Sequence, residues 1–365
     1  MQKGASLIVK HNYMQRINRL REQLAIHRLD ALLVVSPANC LYLSGFRGSK
    51  GYLLISEQRS FLLTDFRYLE QAGIQAPHME IVELEKHFSE TTAALIKSEG
   101  WSNLGVEGEH ITYKDYRWLK ERAGVPLEAH QQMVEQIRAV KDAAEIRIIR
   151  EAARVTDEAF DEISPLIRPG IREKDLALEL EYILRKKGGE GPAFDFIVAS
   201  GYRSAWPHGI ASAKKLAGDE PVTIDFGVKL DGYVSDMSRT VYLGAPQKKH
   251  EEIWNVLLEA QQAAIKGVHE GVKGLEVDLL AREVITQAGY GKNFGHGLGH
   301  GLGLEPHELP TLSVKGKETL VPGMVITVEP GIYISDWGGA RIEDMVLVTE
   351  EGAEILTHSP RNLVL

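Results

Sequence analysis

The 365-residue chain has little cysteine, few aromatic residues and no long hydrophobic run. Its single cysteine, Cys40, cannot form an intrachain disulfide, and a reducing compartment fits that composition. The apolar run at residues 7–9 is too short for the core of a signal peptide. No segment approaches the roughly 18 apolar residues that a membrane span requires. We therefore expect a cytoplasmic protein with no membrane association.

The chain also lacks an excess of basic residues over acidic ones. The chain carries 42 Lys and Arg residues against 51 Asp and Glu residues, which gives a formal net charge of -9. A general nucleic-acid binder would normally present a basic face, so this class is disfavoured. Hydrophobic residues make up 44% and charged residues 25%, as in an ordinary globular protein, and the length predicts two domains.

The first part of the chain predicts a mixed α/β domain over residues 1–135. Residues 30–65 contain four strand-like runs, DALLVVS, CLYLSGF, KGYLLIS and SFLLTD. Helical patterns follow around residues 87–99 and 113–123, with MEIVELE and NLGVEG as further strands. The glycine-containing stretch GFRGSKG lacks the spacing of a phosphate-binding loop, so we interpret it as a hairpin connection.

The remaining residues, 136–365, predict a second domain of the α+β class with a weak internal duplication. A helical pattern begins near residue 135 and runs to 163. Residues 168–189 and 269–290 then follow the same order: a glycine, an Asp-Leu helix start and a closing glycine. Each is followed by a short His-Gly motif, WPHG or FGHG, and by a pair of strands. A duplication would relate the two halves by a pseudo-twofold axis, although two unrelated amphipathic helices remain an alternative.

The first strand pair, PVTIDFGVKLDGYVSDMSRTVYL, carries an aspartate on each strand. The turn signal Asp231-Gly232 would place Asp225 and Asp236 opposite or one diagonal step apart, on one face of the ribbon. Burying two unpaired carboxylates would cost on the order of several kcal/mol each. A cation is therefore expected between them, and an arginine such as Arg239 is one alternative to a metal ion.

The second strand pair, GMVITVEPGIYISDWGGARIEDMVLVT, carries Glu329 and Glu343 in the same way. A turn of odd length within residues 335–339 keeps both glutamates on one face. A two-residue turn at 338–339 would separate them instead. Two strand pairs in one domain thus each offer a candidate pair of buried carboxylates.

The stretch NFGHGLGHGLGLEPHE, residues 293–308, contains three histidines among glycines that alternate with other residues. Each interior glycine costs a helix about 1 kcal/mol, so His296 and His300 are not a helical zinc-binding pair. An extended segment is predicted, in which missing side chains let a substrate or a neighbouring backbone approach closely.

Four carboxylates and one of these imidazoles would carry too much negative charge for a single ion. Two divalent cations roughly 3.5–4 Å apart would satisfy them. Ligands dominated by oxygen favour Mn²⁺, Co²⁺ or Fe²⁺ over a thiolate zinc site.

With these motifs in place, the sequence resembles the pita-bread metallopeptidases, and within them the proline-specific members, Xaa-Pro dipeptidase (prolidase) and Xaa-Pro aminopeptidase. The motifs IDFG, SDMSRT, GHGLGHGLGLEPHE, VEPGIY and ARIEDMVLVT occur in the family's order. The resemblance implies a pita-bread catalytic domain, preceded by a creatinase-type N-terminal domain. It also implies hydrolysis of the Xaa-Pro bond at the N-terminus of proline-containing peptides, and a homodimer.

The resemblance also assigns roles to residues. It implies that Asp225 chelates one metal ion, that Asp236 and Glu343 bridge both, and that His300 and Glu329 complete the second. Two Mn²⁺ ions are expected, with Co²⁺, Fe²⁺ or Zn²⁺ as alternatives. A water or hydroxide between the ions would be the nucleophile, with Glu329 accepting its proton. The remaining implied site residues are His307 at the oxyanion, His208 and His296 at the scissile peptide, and Arg341 beside the metal ligands.

Two alternatives share this fold. A methionine aminopeptidase would carry the same metal ligands, but the predicted N-terminal domain argues against it. A creatinase-like hydrolase or a non-catalytic binding module would be expected to lose metal ligands, and all five are present here.

Overall fold

The computed structural model describes residues 12–364, which divide into two compact units that meet between residues 138 and 139. The apolar run at residues 7–9 lies outside the described residues. The domain boundary predicted between residues 135 and 136 falls inside a short helix, Met133–Ala139. No helix among residues 12–364 is long and apolar enough to cross a membrane.

The first unit is built on one six-stranded sheet with the strand order β4-β3-β2-β1-β5-β6. Strand β1 is central and reads ALLV, with all four residues buried, as expected for a strand covered on both faces. Its pairing is antiparallel with β2 and parallel with β5. The strands are β1 (Ala31–Val34), β2 (Tyr52–Ser56), β3 (Ser60–Thr64), β4 (Glu80–Glu83), β5 (Leu104–Glu107) and β6 (Leu127–His130). The helices are α1 (Tyr13–His27), α2 (Pro37–Ser44), α3 (Leu69–Gln75), α4 (Phe88–Glu99), α5 (Tyr113–Ala123) and α6 (Met133–Ala139).

The strand predicted for CLYLSGF is wrong, because these residues lie mostly in helix α2. The hydroxyl of Ser36 accepts a hydrogen bond from the backbone N–H of Asn39 and caps the helix, which Pro37 begins. Gly45 ends it in the left-handed region, at φ 75°. These capping residues flank the helix on both sides, and they outweigh the β-propensity of its short apolar centre.

The helix predicted over residues 135–163 is interrupted. Helix α6 ends at Ala139 and helix α7 begins at Ala143. Asp142 accepts hydrogen bonds from the backbone N–H groups of residues 144 and 145, while the Glu145 side chain accepts one from the backbone of Asp142. This capping box starts a new helix within the continuous apolar pattern.

The second unit consists of two similar halves, each with a pair of helices packed on a sheet. One core contains Phe160, Leu180 and Ile224, and the other contains Leu257 and Ile326; all are buried. The helices are α7 (Ala143–Ile163), α8 (Glu173–Lys186), α9 (Lys248–Lys266) and α10 (Gly274–Gln287). The strands of the first half are β7 (Gly191–Pro192), β8 (Ile197–Ser200), β9 (Glu220–Phe226), β10 (Val228–Leu230), β11 (Tyr233–Val234) and β12 (Met237–Leu243). Those of the second half are β13 (Gly299–Gly301), β14 (Glu308–Leu312), β15 (Val325–Val328), β16 (Gly331–Ile334), β17 (Gly338–Arg341), β18 (Asp344–Thr349) and β19 (Gly352–Ile355).

Each sheet of the second unit contains strands from one half only. The first half forms the sheets β11-β10-β7 and β12-β9-β8. The second half forms the five-stranded sheet β14-β13-β15-β18-β19 and the hairpin β16-β17. The two helices predicted at 168–189 and 269–290 are α8 and α10, so the elements follow the order that the repeated sequence pattern predicted.

Candidate metal centre

The β9–β12 ribbon carries the two aspartates on one face. Asp225 is paired with Ser238, and the same register extends across the turn, where Leu230 is paired with Tyr233. Asp236, two residues before Ser238, therefore lies one diagonal step from Asp225, as predicted. Both residues of the intervening turn have positive φ, 48° at Asp231 and 85° at Gly232, as in the type I′ turns of hairpins.

The second ribbon places its two glutamates opposite each other. Strands β16 and β17 pair Gly331 with Arg341, and strands β15 and β18 pair Val328 with Asp344 in the same register. Between these pairs, Glu329 faces Glu343. The connection between β16 and β17 consists of residues 335–337, an odd number, so of the two alternatives that the sequence left open the odd turn is the one observed.

The glycines around His300 allow neighbouring backbones to approach strand β13 from both sides. A Cβ atom at Gly299 would lie 2.0 Å from the carbonyl oxygen of Thr327, and one at Gly301 would lie 2.0 Å from that of Leu309. The prediction of an extended segment with close backbone approach is therefore confirmed for residues 299–301, whereas residues 303–307 bend. The neighbours of β13 are strand β15 on one side and strand β14 on the other.

Acidic and imidazole side chains from both ribbons converge around β13. Each of Asp236, His300 and Glu343 offers a ligand atom, and these atoms all lie within 4.8 Å of one another. The Nε2 atom of His300 is 3.9 Å from Asp236 Oδ2 and 3.3 Å from Glu329 Oε1. This spacing is what a metal ion bound between such groups requires.

The ring of His300 is oriented for ligation through Nε2. Its Nδ1 atom lies 3.1 Å from the carbonyl oxygen of Gly301, so Nδ1 carries the hydrogen and donates it. When a metal ion takes the place of the proton on Nε2, the lone pair of that atom faces the carboxylates and can bind the ion. Fixing the tautomer through the distal nitrogen is the usual arrangement for a metal-binding histidine.

The carboxylates repel one another strongly. Asp225, Asp236 and Glu343 are buried, with exposed fractions of 9%, 5% and 2%. Burial, followed by the charges of the neighbouring carboxylates, raises the pKa of Asp236 and Glu343 well above their ordinary values. Burial also opposes the ionisation of Glu329, but its hydrogen bond with His300 and the charge of that ring lower its pKa to about 2.

One arginine reaches this cluster. The Nη2 atom of Arg341 donates to Asp225 Oδ2 over 2.6 Å. The prediction of Arg239 as the alternative cation is wrong, because its guanidinium donates to Asp344 Oδ1 instead. The other oxygen of Asp225, Oδ1, is buried and has no hydrogen-bond donor among the described residues.

A single arginine cannot compensate four carboxylates, and a buried oxygen without a donor is costly. This set of oxygen atoms with one imidazole nitrogen fits hard or borderline divalent cations. The residues therefore fit the metal ions that the sequence predicts.

Two residues at the centre were missed by sequence reasoning. The Ser238 hydroxyl donates to Glu343 Oε2 over 2.7 Å and accepts from Arg341 Nε over 2.8 Å. The Tyr333 hydroxyl accepts from Arg341 Nη1 over 2.8 Å. The alternation of side chains along a strand could have identified both, because residues an even number of positions apart share a face. Ser238 follows Asp236 by two residues, and Tyr333 lies four residues after Glu329.

A cavity of about 520 Å³ opens onto the carboxylates. One wall is apolar and contains Phe194, Ile197, Pro207 and Ile210. All nine residues predicted for the site line this cavity: His208, Asp225, Asp236, His296, His300, His307, Glu329, Arg341 and Glu343. The structure thus brings the predicted set together, while the chemical roles assigned to its members stay predictions.

The three other histidines differ in how they are held. His296 is anchored through both nitrogens, with Nδ1 2.7 Å from Gly297 O and Nε2 3.1 Å from the Tyr333 hydroxyl. His208 and His307 are exposed, and the ring of His307 lies 4.1 Å from that of His300. Burial lowers the pKa of His296 and of His307, which favours neutral rings able to exchange protons near neutral pH.

Comparisons with known proteins agree with this geometry. A model described as metallopeptidase family M24 matches residues 147–350, and one described as the creatinase/prolidase N-terminal domain matches residues 16–140. The chain is 37% identical over 352 residues to the Xaa-Pro dipeptidase of Pyrococcus horikoshii, covering 96% of this chain and 99% of that protein.

Two solved structures extend the comparison. The Xaa-Pro dipeptidase from Bacillus anthracis has a TM-score of 0.95 and 44% identity, covering 97% of this chain and 99% of that one. The X-Pro aminopeptidase from Thermotoga maritima has a TM-score of 0.88 and 39% identity, covering 95% and 99%.

Proposed function

Because the chain belongs to metallopeptidase family M24, we propose that it hydrolyses the Xaa-Pro peptide bond at the N-terminus of di- or oligopeptides. Family membership confirms the predicted enzyme class, and the predicted pita-bread catalytic domain with its creatinase-type N-terminal domain is confirmed as well. The names of the relatives support proline specificity: they include Xaa-Pro dipeptidases and an X-Pro aminopeptidase.

The observation that carries the proposal is the buried carboxylate cluster at the floor of the cavity. In the proposed site, Asp225, Asp236, His300, Glu329 and Glu343 hold two divalent cations, with Mn²⁺ expected and Co²⁺, Fe²⁺ or Zn²⁺ as alternatives. Such cations act as Lewis acids toward a peptide carbonyl and lower the pKa of an attacking water toward neutrality. The raised pKa values of Asp236 and Glu343 support this assignment, since cations would relieve the repulsion that raises them.

The remaining side chains have separate tasks in this proposal. Glu329 would accept the proton of the attacking water, and its lowered pKa shows only that the carboxylate is ionised in the metal-free site. His307 supports the developing oxyanion, and His208 delivers a proton toward the leaving nitrogen. Gly297 and Tyr333 already hold both nitrogens of His296. The face or edge of its ring, and not a free nitrogen, therefore contacts the scissile peptide in this proposal.

Proline specificity follows from what the imino nitrogen lacks. The nitrogen of an Xaa-Pro bond carries no hydrogen, so a peptidase that recognises that N–H group cannot use it. A site that polarises the carbonyl and protonates the leaving nitrogen has no such requirement. The apolar wall formed by Phe194, Ile197 and Ile210 suits a pyrrolidine ring.

The test is an assay of the metal-stripped protein after addition of Mn²⁺, Co²⁺ or Zn²⁺. Substrates are an Xaa-Pro dipeptide, an Xaa-Pro-Xaa tripeptide and the corresponding Xaa-Ala peptides, with a Met-Ala-Ser peptide to detect methionine aminopeptidase activity. We expect metal-dependent cleavage of the proline peptides only, and the ratio of the first two rates assigns the enzyme as a dipeptidase or an aminopeptidase.

A matched pair of variants controls the assay. Glu343→Gln should abolish activity and reduce bound metal, whereas Glu351→Gln, at an exposed carboxylate of the β18–β19 turn, should change neither. Full activity of Glu343→Gln, or cleavage without any metal, contradicts the proposal. We also propose a cytoplasmic homodimer, to be checked by fractionation and by sedimentation of the purified protein.

A further inference from the structure

The loop between β13 and β14, residues 302–307, ends at His307. This ring is exposed and contacts His300, and no hydrogen bond to a described residue fixes either of its nitrogens. The position of the imidazole therefore depends on the backbone of the loop. Whatever fixes that backbone also fixes the ring relative to the cavity.

The carboxylate of the next residue, Glu308, folds back against the loop. Its Oε1 atom accepts a hydrogen bond from the backbone N–H of Glu305 over 3.0 Å. The backbone N–H of Gly303 donates to Glu305 O over 3.1 Å and closes the turn. A Cβ atom at Gly303 would lie 2.7 Å from Glu308 Oε2, so the carboxylate packs directly on the backbone there.

Lys141 reaches the same carboxylate from the segment that precedes helix α7. Its Nζ atom lies 3.4 Å from Glu308 Oε2 and donates to Ala139 O over 3.2 Å. The two side chains are almost fully buried, with exposed fractions of 1% and 3%. The backbone N–H of Lys141 donates to Gly323 O over 2.9 Å, so the lysine is itself anchored.

Resting on the proposed function, we propose that Lys141 and Glu308 are positioning residues that hold His307 over the reacting carbonyl. Separating two buried charges leaves each desolvated and uncompensated, so the pair resists any displacement of the loop. Glu308 transmits this restraint because it is adjacent to His307 and also holds the backbone of Glu305. A displacement of about 1 Å at a catalytic group can cost on the order of 100-fold in rate.

The test is a double-mutant cycle with Lys141→Met and His307→Ala, measured on a proline peptide with saturating Mn²⁺. Lys141→Met should lower kcat by about 10- to 100-fold with bound metal unchanged. In the His307→Ala background it should produce no further fall in kcat. Arg150→Met, which removes an exposed ion pair with Glu354, is the control and should leave kcat unchanged.

The outcomes separate the two proposals. If His307→Ala lowers kcat and Lys141→Met lowers it by the same factor in both backgrounds, the positioning role is overturned while the proposed function stands. If His307→Ala leaves kcat unchanged, the assigned role of the histidine fails, and the positioning role with it. Should Lys141→Met not fold, the double variant Lys141→Met/Glu308→Gln removes both charges of this ion pair and enters the same cycle.

Discussion

The buried carboxylate of Asp236 destabilises the metal-free protein, and replacing it should raise the stability of that metal-free state. Its side chain is 5% exposed, and burial together with the charges of Glu343, Asp225 and Glu329 raises its pKa well above the ordinary value. Asp236→Asn keeps the shape of the side chain and removes the charge. We therefore expect the metal-free variant to unfold at a higher temperature than the metal-free wild type.

The size of the effect follows from the burial of one uncompensated polar group, which costs about 1–3 kcal/mol. For a unit of the size of residues 139–365, each kcal/mol corresponds to about 2–4 °C in Tm. Asp236→Asn should therefore raise the Tm of the metal-free protein by about 2–12 °C. Mn²⁺ at 1,000 times its Kd should reverse the order, since it stabilises the wild type by about 4.1 kcal/mol, which exceeds the cost of about 1–3 kcal/mol, and the variant lacks a ligand for it.

The effect has a defined pH dependence. A carboxyl group with a raised folded-state pKa holds its proton in the native state at a pH where the unfolded chain has already released it. Stability is therefore lost as the pH rises above the ordinary value of 3.8 toward the raised folded-state value. The advantage of Asp236→Asn over the wild type should be larger at pH 8 than at pH 5.

Differential scanning calorimetry of chelator-dialysed protein at both pH values measures these differences. Glu351→Gln, at an exposed carboxylate, is the matched control and should leave the Tm unchanged. A metal-free Asp236→Asn protein that melts below the wild type at pH 8 would refute the reasoning, because the carboxylate cluster would then stabilise the fold without cations.

Three further predictions concern single residues of the site. Ser238→Ala removes the hydroxyl that donates to Glu343 Oε2, so metal affinity in a chelator competition should fall about 10- to 100-fold; unchanged affinity would show that the glutamate is oriented without it. Gly299→Ala would place a Cβ atom 2.0 Å from Thr327 O. The free energy of unfolding, measured in urea, should therefore fall by about 1–3 kcal/mol or more, and a midpoint equal to that of the wild type would contradict this. His307→Ala should keep its metal, by elemental analysis, and lose about 100-fold in kcat; loss of metal instead would make it a ligand.

The carboxylate pairs were predictable because two simple rules locate them. Side chains alternate along a strand, so two residues share a face when the length of the connection and the number of residues between them are both even or both odd. Ten residues separate Asp225 from Asp236 across the two-residue turn Asp231-Gly232, and thirteen separate Glu329 from Glu343 across the three residues 335–337, so each pair shares a face. Helix α2 was missed because its short apolar centre resembles a strand, and only the capping residues Ser36 and Gly45 distinguish the two.

Contacts between distant segments could not be predicted in this way. Lys141 and Glu308 are 167 residues apart, and nothing local to either side chain indicates the other. Arg239 and Arg341 illustrate the same limit of residue patterns, since only the family resemblance indicated Arg341. Both lie within a few residues of a metal-ligand candidate, yet Arg341 reaches Asp225 while Arg239 pairs with Asp344. Which arginine enters the site depends on the face of the strand and on tertiary packing.

The three-residue connection between β16 and β17 limits how this family member can vary. Its tip is exposed, so Ser335 tolerates many side chains, while Asp336, at φ 61°, favours Asp, Asn or Gly. Its length is a different matter, because gaining or losing one residue would turn Glu343 to the opposite face of the ribbon. Homologous loops are therefore free to drift in composition and to change by two residues, but a shift by one would remove a ligand without altering any residue of the site.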